Sequence, residues 1–144
     1  MKLMDIEVAR AIPAPAEDVF NVWLDPKSPG SLWFGAQKVI INPAVDGLFF
    51  LSMQHEGRNW PHYGRFLHMD RPRLVEHTWV SEATRGLESV VSVIFEQHGS
   101  ETRVTLRHSG VPDDEMGHKH KDGWTWFLST LAERFAPAST SAKP

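Results

Sequence analysis

The stretch Trp124–Phe135, with the sequence WTWFLSTLAERF, decides the fold. Its large apolar residues stand at positions 124, 127, 128, 131 and 135, which is the spacing of one face of an α-helix. Pro112-Asp113-Asp114-Glu115 is typical of a helix N-terminus, but Gly117 and Gly123 weaken the first turns, so the regular helix is expected only from near Asp122. Trp126 lies about 160° from the centre of the apolar stripe and is expected to be exposed.

Strand signals fill most of the chain before this helix. Residues 3–12 alternate and predict a first strand. Pro15 then favours a helix start, and Ser31–Phe34 predicts a short second helical piece. Further strands are predicted at 38–41, 48–54, 63–69, 74–80, 87–95 and 102–109, with Trp60 in a loop between two of them. Strands joined by short turns and followed by one amphipathic helix indicate an α+β fold, in which a curved antiparallel sheet of about six to seven strands wraps around the C-terminal helix.

Composition limits the function. The 144 residues carry 15 Lys and Arg against 18 Asp and Glu, a formal net charge of −3, which argues against nucleic-acid binding. Cys is absent, so disulfides, thiolate metal sites and a cysteine nucleophile are excluded. No apolar run approaches the ~18 residues of a membrane span, and no apolar signal core follows Met1, so a cytoplasmic location is expected. One domain at 1–136 and a disordered tail at 137–144 are predicted.

Several short motifs resemble the START-like (SRPBCC, helix-grip) superfamily, and within it the Aha-type branch, named for the activator of a heat-shock-protein ATPase. The matching segments are Ala14–Phe20, Leu32–Phe34, Pro72–Val75 with Thr78-Trp79, Thr102–Gly110 and Gly123-Trp124. The resemblance covers roughly residues 3–136. It implies a helix-grip fold with a hydrophobic ligand cavity between the sheet and the C-terminal helix. It does not imply one chemistry, because the superfamily includes lipid binders, cyclases and partner-binding modules.

We therefore predict that the chain binds a hydrophobic or amphipathic small molecule in this cavity. Strand alternation and helix phase assign the walls, and they place His77 and His108 inward as polar anchors. Glu76 is a further candidate anchor, although it belongs to the opposite alternation. The predicted ligand-binding residues are Trp33, Phe49, Leu51, Met53, Phe66, His77, Trp79, Val91, Val93, His108, Trp124, Phe127 and Leu128, with Val104 and Leu106 as additional wall residues.

Two other functions stay open at this stage. The Aha-type resemblance favours a partner-binding, stress-related module, and a buried His or Glu would suit a cyclase- or hydrolase-like enzyme. No zinc motif, nucleophile elbow or phosphate-binding loop is present, so no catalytic residue, metal or cofactor is predicted. The oligomeric state is expected to be a monomer or a homodimer. A cavity above roughly 300 Å³ would favour a small-molecule ligand, whereas a filled interior with an exposed apolar patch would favour a protein partner.

Overall fold

Seven strands form one antiparallel sheet in the computed structural model, which describes residues 1–25 and 38–136. The order across the sheet is β1-β7-β6-β5-β4-β3-β2, so the first two strands of the chain lie at the two edges. The strands are β1 Leu3–Ile12, β2 Lys38–Ile41, β3 Leu48–His55, β4 Arg58–Asp70, β5 Leu74–Ser81, β6 Ser89–His98 and β7 Glu101–Pro112. Helix α1 is Ala16–Leu24 and helix α2 is Glu115–Phe135. The α+β helix-grip prediction is confirmed.

Helix α2 begins seven residues before the expected start near Asp122, so that boundary was wrong. Asp114 caps the helix, because its Oδ1 accepts a hydrogen bond from the Gly117 backbone at 2.7 Å. Gly117 also meets a close approach, since a Cβ there would lie 1.7 Å from the carbonyl oxygen of Pro112. Gly117 therefore marks tight packing of the first helical turn against the end of β7. Contrary to the expectation, it does not delay the start of the helix.

The interpretation of Trp60 as a loop residue was also wrong. A two-residue turn at Glu56-Gly57, both with positive φ, joins β3 to β4. Strand β4 therefore starts at Arg58, and Trp60 pairs with Met53 across the hairpin. The polar composition around Asn59 suggested a longer loop than the chain makes. Trp60 consequently lies on the sheet, on the same side as other large rings.

The concave face of the sheet holds the core. Alternation along each strand points its apolar residues to this side, where helix α2 packs against β1 and β7, and helix α1 against β6 and β7. Trp124, Phe127, Leu128 and Leu131 of α2 are buried, whereas Trp126 is 61% exposed, so the predicted helix phase is confirmed. Register shifts at Met4/Ile6 and at Phe66/His68 interrupt the ladders of β1 and β4.

Three expectations concern residues outside the described ranges. They are the second helical piece at Ser31–Phe34, the ligand-binding role of Trp33 and the disordered tail at 137–144. No helix in residues 1–25 or 38–136 is long and apolar enough to cross a membrane.

Candidate functional site

An apolar pocket lies where α1 meets the concave face of strands β2 to β5. Its lining is Trp23, Ile41, Phe49, Leu51, Phe66, His77 and Trp79. The cavity volume is about 10 Å³, close to the space of one water molecule. The described residues thus leave far less room than the roughly 300 Å³ expected of a preformed ligand cavity.

Local packing explains why rings converge at this pocket. Gly64 faces Phe49 across the β3–β4 ladder, and a Cβ at Gly64 would lie 2.2 Å from the Phe49 ring. The absence of a side chain at Gly64 therefore leaves room for the Phe49 ring. Phe49 then contacts Phe66 at 5.6 Å and Trp79 at 6.1 Å between ring centroids.

The structure describes all of the predicted ligand-binding residues except Trp33. Five of them line the pocket, namely Phe49, Leu51, Phe66, His77 and Trp79. Six are buried elsewhere on the concave side or on α2 and fill the core: Val91, Val93, His108, Trp124, Phe127 and Leu128. Met53 is half-buried on β3. Trp23 and Ile41 were missed as lining residues. The spacing of apolar residues placed Trp23 on the buried face of the first helix. That spacing does not show which strands the end of the helix contacts.

Helix α1 is attached to the sheet by an indole–imidazole hydrogen bond. Trp23 Nε1–H donates to His77 Nε2 at 3.1 Å. An indole nitrogen only donates, so the His77 proton must be on Nδ1, which donates to the Thr78 carbonyl at 2.9 Å. Both ring nitrogens of His77 are therefore used.

Helix α2 is attached in the same way. Trp124 Nε1–H donates to His108 Nδ1 at 3.0 Å, which places the His108 proton on Nε2. That Nε2–H donates to the Ser89 hydroxyl at 2.7 Å, and the hydroxyl donates in turn to the carbonyl of Trp79. The two indoles stack on each other, with centroids 6.1 Å apart and planes 22° apart. One aromatic pair thus joins both helices to two strands.

Burial keeps these imidazoles neutral. It lowers the pKa of His77 to about 4, and it lowers that of His108 to about 3 with a further contribution from neighbouring His120. Because neither ring has a free nitrogen lone pair, neither serves as a general base in this arrangement. His77 and His108 point inward as expected, but their nitrogens bind protein groups.

Three other buried nitrogens have no hydrogen-bond partner among the described residues. They are Trp60 Nε1, His62 Nδ1 and Trp79 Nε1. His62 and Trp79 lie on neighbouring strands with ring centroids 4.8 Å apart. Burial lowers the pKa of His62 to about 4, while the neighbouring Trp60 backbone acts in the opposite direction. A buried unpaired donor costs about 1–3 kcal/mol, so such a group calls for an explanation. Sequence reasoning assigned Trp79 to the ligand site but missed its neighbours on β4, because it placed Trp60 in a loop.

Glu76 does not reach the pocket. It pairs with Ser92 and His68, and its carboxylate accepts a hydrogen bond from the Ser92 hydroxyl. The neighbouring His77 is buried on the concave side, so alternation places Glu76 on the convex side. Within residues 1–25 and 38–136, no group of three or more His, Asp or Glu side chains converges in a way that could hold a metal ion.

The family model described as Activator of Hsp90 ATPase homolog 1-like protein matches residues 13–136. The chain belongs to this family. The Aha-type resemblance of the sequence motifs is thereby confirmed. No curated protein matches the chain.

Solved structures of similar fold cover nearly the whole chain. Protein CV1439 from Chromobacterium violaceum is 20% identical, with a TM-score of 0.79 over 93% of this chain and 99% of that one. PFC0360w, an HSP90 activator from Plasmodium falciparum, is 23% identical, with a TM-score of 0.73 over 89% and 93%. CalU16 from Micromonospora echinospora is 21% identical, with a TM-score of 0.72 over 96% and 80%. At these identities the likeness shows the fold that the Activator of Hsp90 ATPase homolog 1-like family shares.

Proposed function

We propose that this chain binds a small apolar or amphipathic molecule at the pocket between α1 and strands β2 to β5. The observation that carries the proposal is a ring-lined apolar pocket whose wall includes Trp79, a residue 6% exposed whose indole N–H has no acceptor within residues 1–25 and 38–136. Apolar walls with a small number of inward polar groups are typical of ligand sites.

The cavity of about 10 Å³ sets a condition on this function. A molecule larger than water enters only when lining side chains shift, so binding includes a conformational adjustment and costs part of the affinity. Ile41 is the lining residue best placed to move, because it is half-buried on the short edge strand β2. We expect single-ring molecules to bind more tightly per atom than long acyl chains.

Adjacent residues on β2 provide a matched test. Ile41 lines the pocket, whereas Ile40 is 55% exposed on the other face of the same strand. Toluene, naphthalene and laurate are titrated while tryptophan emission is recorded. At least one probe should give a saturable change, which Ile41→Phe weakens about tenfold by filling the pocket and Ile40→Phe leaves unchanged. No saturable response to any of the three probes, or equal effects of the two variants, would contradict the proposal.

A second function is favoured by an apolar row on the convex face. Ile40, Phe50 and Tyr63 are register neighbours across β2, β3 and β4, and Ile40 and Tyr63 are 55% and 52% exposed. Phe50 and Tyr63 contact each other with ring centroids 5.2 Å apart. A filled interior with an exposed apolar row suits a protein partner.

Hsp90 is the partner to test, because both the family description and the Plasmodium falciparum HSP90 activator name it. If this chain acts as such a module, it should raise the ATPase rate of an Hsp90 chaperone, and the double variant Ile40→Ser, Tyr63→Ser should lose that stimulation. Trp126→Ser, which changes an exposed apolar residue on α2, is the control. An unchanged ATPase rate at saturating chain concentration would exclude this second function.

A further inference from the structure

The four indoles Trp23, Trp60, Trp79 and Trp124 differ in what their N–H groups meet. Those of Trp23 and Trp124 donate to imidazole nitrogens. Those of Trp60 and Trp79 are buried and have no acceptor among the described residues. Within the described part of the chain, the two indoles carried by helices have acceptors, and the two carried by strands β4 and β5 have none.

The side chains that carry the unpartnered nitrogens lie on the adjacent strands β4 and β5. Trp60 and His62 are two residues apart on β4 and therefore share a face, and the His62 and Trp79 rings have centroids 4.8 Å apart. Trp79 also lines the apolar pocket, so it belongs to both the ring-lined wall and the set of unused donors. Trp79 is therefore the member of this set that a ligand in the pocket would contact.

The charges around these nitrogens favour a neutral ligand over an anionic one. Arg58 lies over the Trp60 ring at 4.0 Å but is exposed and paired with Glu82, so its charge is already balanced at the surface. His120 of α2 acts on His62, and His108 of β7 contacts Trp79 with ring centroids 6.3 Å apart. Burial lowers the pKa of both imidazoles. A carboxylate brought here would lose its hydration without meeting a cation, whereas a carbonyl oxygen would meet donors at little cost.

We propose that Trp79 Nε1–H forms a seat for the carbonyl oxygen of a neutral aromatic ligand, with the aromatic ring of that ligand in the apolar pocket. This inference rests on the proposed small-molecule function and names the class of ligand. The His62 ring borders that of Trp79, with centroids 4.8 Å apart. Trp60 Nε1 lies on the same face and is the next donor along β4.

Three single-ring probes of nearly equal shape test the seat. Acetophenone carries the carbonyl, α-methylstyrene replaces its oxygen by a methylene group, and benzoate replaces the methyl ketone by a carboxylate. We expect acetophenone to bind about tenfold more tightly than α-methylstyrene, the value of about one buried hydrogen bond. Benzoate should bind more weakly than acetophenone.

Nitrogen-15 NMR of the six tryptophan side chains gives a second readout that needs no variant. Acetophenone should shift the Trp79 indole N–H signal downfield, whereas α-methylstyrene should not. Trp79→Phe should abolish the tenfold preference, and Trp126→Phe, at a position 61% exposed, should keep it. If Trp79→Phe does not fold, the response of the Trp79 indole N–H signal in the unaltered chain still tests the seat.

The outcomes separate the seat from the pocket. Equal affinities for acetophenone and α-methylstyrene, with no selective shift of the Trp79 signal, would overturn the seat and leave small-molecule binding intact. Tighter binding of benzoate than of acetophenone would overturn the assignment to a neutral ligand. Absence of binding by all three probes, together with failure of the toluene, naphthalene and laurate titrations, would overturn both proposals.

Discussion

Replacing His77 by Gln removes a buried titrating group while keeping a hydrogen-bond acceptor for Trp23. In the folded chain His77 Nε2 accepts from Trp23 Nε1–H, and the ring is 2% exposed. The amide oxygen of Gln occupies a similar position and does not titrate. The variant therefore tests whether the helix attachment depends on a neutral imidazole.

The magnitude follows from the pKa of His77, which burial lowers from 6.5 to about 4. The unfolded chain binds a proton at this residue below pH 6.5, whereas the folded chain does so only near pH 4. Stability from this group is therefore complete above pH 6.5 and is lost as the pH falls. One pKa unit corresponds to 1.36 kcal/mol, so the full loss is about 3 kcal/mol and the loss at pH 5 is about 2 kcal/mol.

Urea unfolding followed by far-UV circular dichroism at pH 8 and pH 5 measures the effect. The unaltered chain should lose about 2 kcal/mol more between these pH values than His77→Gln does. His98→Gln, at an exposed position beside the β6–β7 turn, is the control and should follow the unaltered chain. Parallel pH dependence of the unaltered chain and His77→Gln would refute the assignment of a neutral, buried His77.

Further predictions concern helix α2. Phe127→Ala should cost roughly 3–5 kcal/mol in chemical denaturation, whereas Trp126→Ala should stay within about 0.5 kcal/mol, because Phe127 is 5% and Trp126 61% exposed; equal losses would contradict the helix phase. Gly117→Ala should lower the melting temperature, since its Cβ would meet the carbonyl oxygen of Pro112. Gly123→Ala has open space and should gain up to about 1 kcal/mol from helix propensity; a gain at both glycines would show that the first turn is not tightly packed.

Periodicity predicted the order of the elements and the inward faces. The helix stripe of Trp124 and Phe127 and the alternation around His77 needed only spacing along the chain, and both are buried as expected. The start of α2 was misjudged because Gly117 was weighed by its helix propensity. The start of α2 is set by the close approach of Gly117 to the carbonyl of Pro112, and this contact exists only in the folded chain.

The site was less accessible to sequence reasoning because its bonds join distant residues. Trp23 and His77 are 54 positions apart, and no pattern in either segment points to the other. Periodicity shows that a side chain faces inward, but not which atom it meets or how much space remains. The cavity of about 10 Å³ and the unused donor of Trp79 therefore emerged only from the packed side chains.

The strand order has a consequence for synthesis of the chain. Strand β1 is made first, yet its register partners lie on β7, from Leu3 opposite Pro112 to Ile12 opposite Thr102. At about 5–20 residues per second, β1 waits roughly 5–20 seconds on the ribosome for these partners. Pairing over such long sequence separations also slows folding, because the loop must close before the contacts form. The N-terminal strand is thus exposed to other nascent chains or to holding chaperones until the sheet closes.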